Sequence, residues 1–428
     1  MSAGVCIMNQ NCIALAADSA VTIGGGIAIH NSVNKLFSLS RKEPVGALIY
    51  ANANFMNTPV EIILKQYRKY IDEHGEFYDS LVEYIEGFIK FLLKNKELFR
   101  FQMNEEAFVM SVVSNLLNGL DGDIKRHYKE QVNKLTRELN ESEYKALYAK
   151  AVKGTEKFVE AHQNLKHFDV CDYVEQNFRD KIEGYIKARY DVFDDYEIEI
   201  LVNSSIRIIG KDFWRSGFVG IAIAGYGKKE IYPSMVHIHI AGFLNDKIKY
   251  QIVQTNKIDE KNKQSITPLA QVDVMETFLF GLNNSFLHYI QQIIPETLGN
   301  DIDSLDDSLF AEGKKNQVKK ELEVCTAHIV NSIINEAQRE YLIPIQQSVG
   351  NLPIDELAML AESMINLTSL RRQVAIDSNS RTVGGPIDVA IISKGDGFIW
   401  AKRKHYFDGK MNPQYFYNNF MRDSYGEK

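Results

Sequence analysis

The residue with the clearest chemical potential is Ser2, which directly follows the start methionine. A small side chain at position two permits removal of Met1, and the new first residue would carry both a hydroxyl nucleophile and a free α-amino group. Such an amine can act as the base for the hydroxyl of its own residue. The sequence therefore predicts a hydrolase with Ser2 as its nucleophile, provided that Met1 is removed.

Length and composition describe an ordinary globular chain. Its 428 residues suit two or three domains, or one domain with large insertions. The net charge of -7 argues against nonspecific nucleic-acid binding, which needs a basic face. No apolar run approaches the roughly 20 residues of a membrane span, and the N-terminus lacks the pattern of a signal peptide. The four cysteines fit neither a zinc motif nor a disulfide framework, so we expect a reduced, cytoplasmic protein.

Hydrophobic periodicity predicts strands and helices in separate blocks. Short apolar runs predict strands within residues 2–55, 218–253 and 386–403. Residues 75–205 contain no proline, and their apolar residues recur at helical spacing. The stretch from Pro268 to Asn283 is also interpreted as a helix. This order favours a layered α+β architecture over alternating βαβ units.

Motifs near both ends of the chain carry a family resemblance. The first block has Ser2, then Leu15-Ala16-Ala17-Asp18, Thr22, a glycine turn at 24–26, and Lys35 within the stretch 31–37. The last block has Asp377, then Gly384-Gly385 before an apolar strand. In these motifs the chain resembles proteasome β-subunits and the related bacterial heat-shock peptidase, which are N-terminal nucleophile hydrolases. It is identified as a divergent, bacterial-looking member.

The resemblance implies a four-layer αββα sandwich, the N-terminal nucleophile hydrolase fold, with a large helical insertion. It assigns residues 2–72 and 213–428 to a discontinuous core and residues 73–212 to the helical insertion. Residues 284–350 would form an additional insertion of helices and loops. These three assignments are the predicted domain organisation.

The resemblance also implies a catalytic group around Ser2. Lys35 would lie beside the nucleophile, where its charge favours the reactive forms of the amine and hydroxyl. Asp18 would hold Lys35 charged, since an unpaired buried carboxylate is costly. Asp377 and Ser265 would support the terminal amine. The alternatives are a surface lysine at position 35 and a turn-capping aspartate at position 18.

Substrate-binding groups follow from the same resemblance. The oxyanion donor would be a backbone N–H at Ala51 or Asn52, a role that does not need glycine. The pocket for the residue before the cleaved bond would be apolar, and the alternative is that its lining residues are simply core. Those assigned to substrate binding are Val21, Thr22, Val33 and Ile49.

Two further groups are interpreted without a catalytic role. His237 and His239 alternate along one strand and share a face, but no third metal ligand is signalled nearby, so no metal site is predicted. The basic run at 402–405 is interpreted as a solvated strand end.

The predicted function is hydrolysis of peptide bonds by an N-terminal serine, without a cofactor. Peptide or protein substrates, a homo-oligomeric state and an activator or unfoldase are the expected partners, and neither nucleic acid nor a membrane is. Two alternatives stay open: an amidase of the same fold that acts on a small molecule, and an inactive structural or assembly protein.

Overall fold

The computed structural model describes residues 3–23, 28–30, 32–99, 102–215, 217–306, 309, 314–374, 383–405 and 407–417. Two predicted site residues, Ser2 and Asp377, lie outside these ranges. The strands are β1 Ala3–Asn9, β2 Cys12–Ala17, β3 Val21–Ile23, β4 Ala28–His30, β5 Leu36–Ser38, β6 Val45–Ala51, β7 Asn54–Phe55, β8 Thr58–Pro59, β9 Val219–Gly225, β10 Ser234–Leu244, β11 Lys247–Lys257, β12 Gln264–Ala270, β13 Asp388–Ser393 and β14 Gly397–Lys402.

Helices alternate with these strands in long blocks. They are α1 Val60–His74, α2 Leu81–Lys94, α3 Gln102–Leu135, α4 Glu141–Ala161, α5 Cys171–Arg189, α6 Asp195–Ile209, α7 Asp273–Phe280, α8 Asn284–Ser304, α9 Lys314–Ala337, α10 Ile343–Asn351, α11 Ile354–Val374 and α12 Pro413–Phe416. Among the residues described, no helix has the length and apolar character that crossing a membrane requires. The predicted α+β class is confirmed.

Within the described residues, two antiparallel sheets of five strands each dominate the β structure. The first has the order β12-β1-β2-β13-β14 and the second has the order β11-β10-β9-β6-β5. In the first sheet, Ala3 lies opposite Ala270 on β12, and Gly4 lies opposite Ala17 on β2. Asp388 at the start of β13 also lies opposite Ala17, so the start of β1, the end of β2 and the start of β13 meet at one end of this sheet.

Three apolar clusters connect the sheets and helices. The cluster between the two sheets includes Met8 and Leu15 from the first sheet and Leu48 and Met235 from the second. A second cluster packs α1 and α2 on the other face of the second sheet, and a third packs α7, α10 and α11 on the other face of the first sheet. Each sheet therefore has an apolar cluster on both faces, and successive side chains of a strand point alternately into the two clusters.

Helices α3 to α6 have a core largely of their own. Their buried residues form one cluster, in which Leu244 of β10 also takes part. Two of these helices begin with a capping box, Asn140 with Glu143 at α4 and Asp194 with Glu197 at α6. The predicted division of the chain into core and insertions stays a prediction.

One predicted helix is partly wrong. Residues 268–270 belong to strand β12, and the helix that follows runs only over Asp273–Phe280. Pro268 lies opposite Val5, on a strand at the edge of its sheet. An edge strand tolerates proline because the missing N–H is not needed by a second neighbour.

Candidate functional site

The Asp18 carboxylate is the centre of a buried polar cluster just beyond the end of β2. Lys35 Nζ lies 2.6 Å from Asp18 Oδ1, and both side chains are almost fully buried, at 2% and 1% exposure. The same ammonium donates to the carbonyl oxygen of Ala20 at 2.6 Å. The structure therefore brings these two predicted site residues into direct contact, in a place where either charge alone would be costly.

Backbone amides complete the shell around Asp18. The amide of Ala3 donates to Oδ1 at 2.9 Å, and the amides of Ala20 and Gly384 donate to Oδ2 at 3.2 Å each. Hydrogen bonds to an ionised carboxylate are stronger than those between neutral groups. Four donors from separate parts of the chain therefore stabilise a charged Asp18.

The cluster lies at the start of the described chain. Ala3, whose amide binds Asp18, is joined to Ser2 by a single peptide bond. The Ala3 carbonyl in turn accepts from the Asp18 amide at 3.1 Å, so this residue is fixed from both sides. The Lys35 ammonium and the Ala3 amide share one carboxylate oxygen as their acceptor.

Burial changes the acid–base behaviour of Lys35. Loss of hydration lowers the pKa of its ammonium, Asp18 opposes that change by its charge and its hydrogen bond, and the charge of Lys404 lowers the pKa further. Desolvation disfavours the charged form of any lysine. Lys35 is therefore closer to its neutral form than a lysine on the surface.

Of the two predicted oxyanion positions, one is already engaged. The amide of Asn52 donates to the carbonyl of Phe218 at 3.2 Å, and its side-chain oxygen accepts from the Asn54 amide. Ala51 is exposed and has a φ of 65°, in the left-handed region that non-glycine residues rarely adopt. Strained backbone of this kind clusters at functional sites.

The strain at Ala51 leads to a stability prediction. Ala51→Gly should raise the free energy of unfolding by up to about 1 kcal/mol, because glycine adopts this conformation without a steric penalty. Urea unfolding of both proteins measures the difference. Ala53→Gly is the matched control two residues along, where φ is not positive, and it should be neutral or destabilising. A loss of stability in Ala51→Gly would contradict the strain.

The four residues predicted to bind substrate do not share one environment. Val21 and Val33 are half-buried, and Val21 lies opposite His30 in the small β3–β4 sheet. Thr22 lies on β3, opposite Ile29. Ile49 is buried in the cluster between the second sheet and helices α1 and α2, where it is part of the core.

Ser265 lies away from the Asp18 cluster. It is opposite Met8 on β1, five residues along β12 from Ala270, which faces Ala3. At about 3.4 Å per residue this separation is roughly 17 Å. Its hydroxyl accepts from the Asn256 side chain at 3.2 Å. The structure does not bring Ser265 to the start of the chain.

Two residues near the cluster were missed by the sequence analysis. Asp388 is 4% exposed in its side chain and forms an ion pair with Lys404, which is 11% exposed. The Lys404 amide also donates to Asp388 at 2.9 Å. The prediction that residues 402–405 are a solvated strand end is therefore wrong for Lys404. The available signal was Asp388 itself, a lone carboxylate before four apolar residues that requires a partner.

The two strand histidines belong to a separate network. Tyr50 Oη lies 2.5 Å from His237 Nε2 and 2.8 Å from His239 Nε2. A phenol has one proton, so it donates to one imidazole and accepts from the other. Burial lowers the pKa of His237 to about 4 and that of His239 to about 3. Among the described residues, no group of three or more His, Cys, Asp or Glu could hold a metal ion.

Comparisons with known proteins give little support for any family assignment. No family model and no curated protein matches this chain. Three of the solved structures that align with it are all of low similarity to it. They are an Anbu (Gly-1) mutant from Hyphomicrobium sp. strain MC1 (10% identity, 100% of this chain and 98% of that chain, TM-score 0.28), Anbu (ancestral beta-subunit) from Yersinia bercovieri (10%, 99% and 97%, 0.27) and Anbu from Hyphomicrobium sp. strain MC1 (9%, 100% and 97%, 0.29).

These findings overturn the predicted family assignment. A TM-score of 0.29 or less at 10% identity or less does not establish a shared fold. The prediction that the chain is a divergent member of the proteasome β-subunit and heat-shock peptidase superfamily is therefore wrong, because no family model or curated protein matches it. The short motifs around Asp18 and Gly384 were too few to carry membership.

Proposed function

We propose that this chain hydrolyses amide bonds, with the Ser2 hydroxyl as its nucleophile and the Ser2 α-amine as its general base. The observation that supports this proposal is the buried Asp18–Lys35 pair, whose carboxylate accepts from the amide of Ala3, the residue bonded to Ser2. A structural role alone would be better served by apolar residues, since buried ion pairs contribute little net stability. A buried lysine with a lowered pKa is typical of catalytic sites.

The proposed reaction has two stages. The Ser2 oxygen attacks the substrate carbonyl while its proton passes to the Ser2 amine, and a C–O bond forms as the carbonyl becomes an oxyanion. The C–N bond then breaks, and the leaving nitrogen takes the proton from the amine. Water then attacks the resulting ester while the Ser2 amine takes its proton. The Ser2 oxygen recovers that proton as the acid is released. Every proton moves between groups that this mechanism names.

Lys35 and Ala51 would act without forming bonds to the substrate. A positive or hydrogen-bond-donating group beside the terminal residue favours the neutral amine and the developing alkoxide. A free α-amine has a pKa of about 7.7–8.0, so a modest reduction leaves it neutral near pH 7. The backbone N–H of Ala51 is the proposed oxyanion donor, because the Asn52 amide is already bonded to Phe218.

The substrate class proposed is a peptide with an apolar residue before the cleaved bond. Val21 and Val33 are half-buried and apolar, which supports this preference. The four-layer αββα arrangement with a helical insertion also belongs to the proposal. Its support is the three apolar clusters. One joins helices α1 and α2 to the second sheet, one lies between the two sheets, and one joins the first sheet to helices α7, α10 and α11.

Intact-mass spectrometry of the expressed protein tests the mechanism. We expect loss of Met1 and, with a peptide epoxyketone that reacts with both an amine and a neighbouring hydroxyl, one covalent adduct. Ser2→Ala should abolish the adduct, whereas Ser2→Thr should retain it. The matched control is Ser32→Ala, which removes an exposed hydroxyl and should behave as wild type.

Two results would contradict the proposal. In a protein that keeps Met1, the Ser2 nitrogen is an amide and cannot serve as the base, so such a protein that also forms no adduct contradicts the mechanism. An adduct that persists in Ser2→Ala would place the nucleophile elsewhere. Turnover of a fluorogenic peptide, compared with the corresponding small amide, then separates a peptidase from a small-molecule amidase.

A further inference from the structure

A second buried ion pair lies next to the Asp18–Lys35 pair. Asp388 opens β13 directly opposite Ala17, the residue before Asp18. The loop before β13 contacts the residues that follow β2. The Gly384 amide donates to Asp18, and the Ser19 hydroxyl donates to the Pro386 carbonyl at 2.6 Å. The two carboxylates therefore come from neighbouring strands at the same end of the sheet.

Asp388 fixes Lys404 at two points. One carboxylate oxygen accepts from the Lys404 amide at 2.9 Å, and the other pairs with the Lys404 ammonium. Lys404 follows β14, which is paired with β13. Its side chain therefore contacts Asp388 on the adjacent strand. With the Asp388 and Lys404 side chains 4% and 11% exposed, this pair is far less hydrated than a surface ion pair.

We propose that Lys404, held by Asp388, is a positioning residue of the candidate site that acts through the charge of Lys35. The inference rests on the proposed function, in which Lys35 supports the terminal serine. A second ammonium in a poorly hydrated region disfavours the protonated form of the first. Lys404 thereby limits the positive charge on Lys35 and so sets how strongly Lys35 favours the neutral form of the Ser2 amine.

Charged residues from several elements lie around Lys35. Asp18 contacts it directly from the end of β2, and Lys404 acts on it from the segment after β14. Asp388 on β13 neutralises Lys404, and Glu61 on α1 binds the neighbouring Asn34 at 3.1 Å. Of these, Asp18 favours the charged lysine and Lys404 opposes it, so removing the Lys404 charge has a defined direction.

An NMR titration of the Lys35 side chain tests this inference directly. In protein labelled with ¹³C at lysine Cε, with Lys35→Arg to assign the signal, Lys404→Met should raise the titration midpoint of Lys35 by about one pH unit. Lys404→Arg keeps the charge and should keep the wild-type midpoint. The matched control is Lys402→Met, which removes a half-exposed lysine that pairs with Glu362.

A second measurement follows the reaction itself. The pH dependence of Ser2 modification by the epoxyketone should move to lower pH in Lys404→Met, because a more fully charged Lys35 favours the neutral Ser2 amine, and it should stay unchanged in Lys402→Met and Lys404→Arg. Lys404→Gln serves if the methionine variant does not fold. A midpoint for Lys35 in Lys404→Met equal to that in Lys402→Met overturns the inference. If Ser2 is never modified, the proposed function fails, while the NMR midpoint still decides whether Lys404 acts on Lys35.

Discussion

Lys35→Met is expected to slow the modification of Ser2 by an epoxyketone about 1,000-fold, the scale seen when a single electrostatic or acid–base group is lost. The side chain is similar in length, so the apolar part of the lysine is replaced. The ammonium that binds Asp18 and the Ala20 carbonyl is lost. Rates of adduct formation by intact mass give the effect. Lys65→Met, at a half-exposed i,i+4 pair with Glu61, is the control and should react at the wild-type rate.

The same substitution should also destabilise the fold. It leaves Asp18 buried with backbone donors alone, and breaking a buried ion pair in this way costs about 3–5 kcal/mol. The double variant Asp18→Asn/Lys35→Met removes the uncompensated charge, so it should recover most of the unfolding free energy without recovering the reaction. Urea unfolding measures the first quantity and adduct formation the second.

Those two readouts separate a catalytic role from a structural one. If the double variant regains both stability and reactivity, Lys35 is needed only to neutralise Asp18. If Lys35→Met loses stability but reacts normally with the probe, the buried pair is part of the framework and the proposed mechanism fails at this residue.

The contact between Asp18 and Lys35 could be predicted from the motif spacing that the family resemblance supplied, and the neighbouring apolar residues agree with it. Asp18 follows the apolar run 12–17, and Lys35 precedes the apolar residues Leu36 and Phe37. A charge in such a segment needs a partner of opposite sign. What the sequence could not show is the third participant, Gly384, whose amide reaches Asp18 from a position 366 residues away.

Asp388 and Lys404 show why composition is a poor guide to exposure. Lys404 stands in a basic run, and such runs are usually solvated. Its burial depends on the pairing of β13 with β14 and on the carboxylate that this pairing brings close. The helix predicted from Pro268 failed for a similar reason: the chain entered the edge of a sheet, and tertiary pairing overrode local helical spacing.

The alternation of His237 and His239 correctly predicted a shared face, but their partner depended on strand order. Tyr50 on β6 reaches β10 across β9, since β9 lies between those two strands. Gly220 makes this possible, because a Cβ at that position would lie 2.2 Å from the Tyr50 ring. No pattern within β10 indicates that the hydrogen-bond partner of its two histidines comes from about 190 residues earlier in the chain.

This buried Tyr50–His237–His239 network should make the protein sensitive to acid well above the usual pKa of carboxylates. The folded-state pKa values of His237 and His239 are about 4 and about 3, against about 6.5 for an unfolded histidine. The unfolded chain therefore binds more protons below pH 6.5, and stability falls as the pH decreases. At pH 4.5 the two histidines together should lower the unfolding free energy by about 5 kcal/mol relative to pH 7.5.

Urea unfolding at half-unit steps between pH 7.5 and 4.5 measures that dependence. The variant His237→Gln/His239→Gln has a lower starting stability, but its slope against pH should be smaller by about two protons, since glutamine does not titrate. His74→Gln is the control, because His74 is exposed and near the end of α1. An unchanged slope in the double variant would mean that acid acts on other groups. ¹H NMR of the wild-type histidines checks the same point, since both imidazoles should stay neutral until the pH approaches 4.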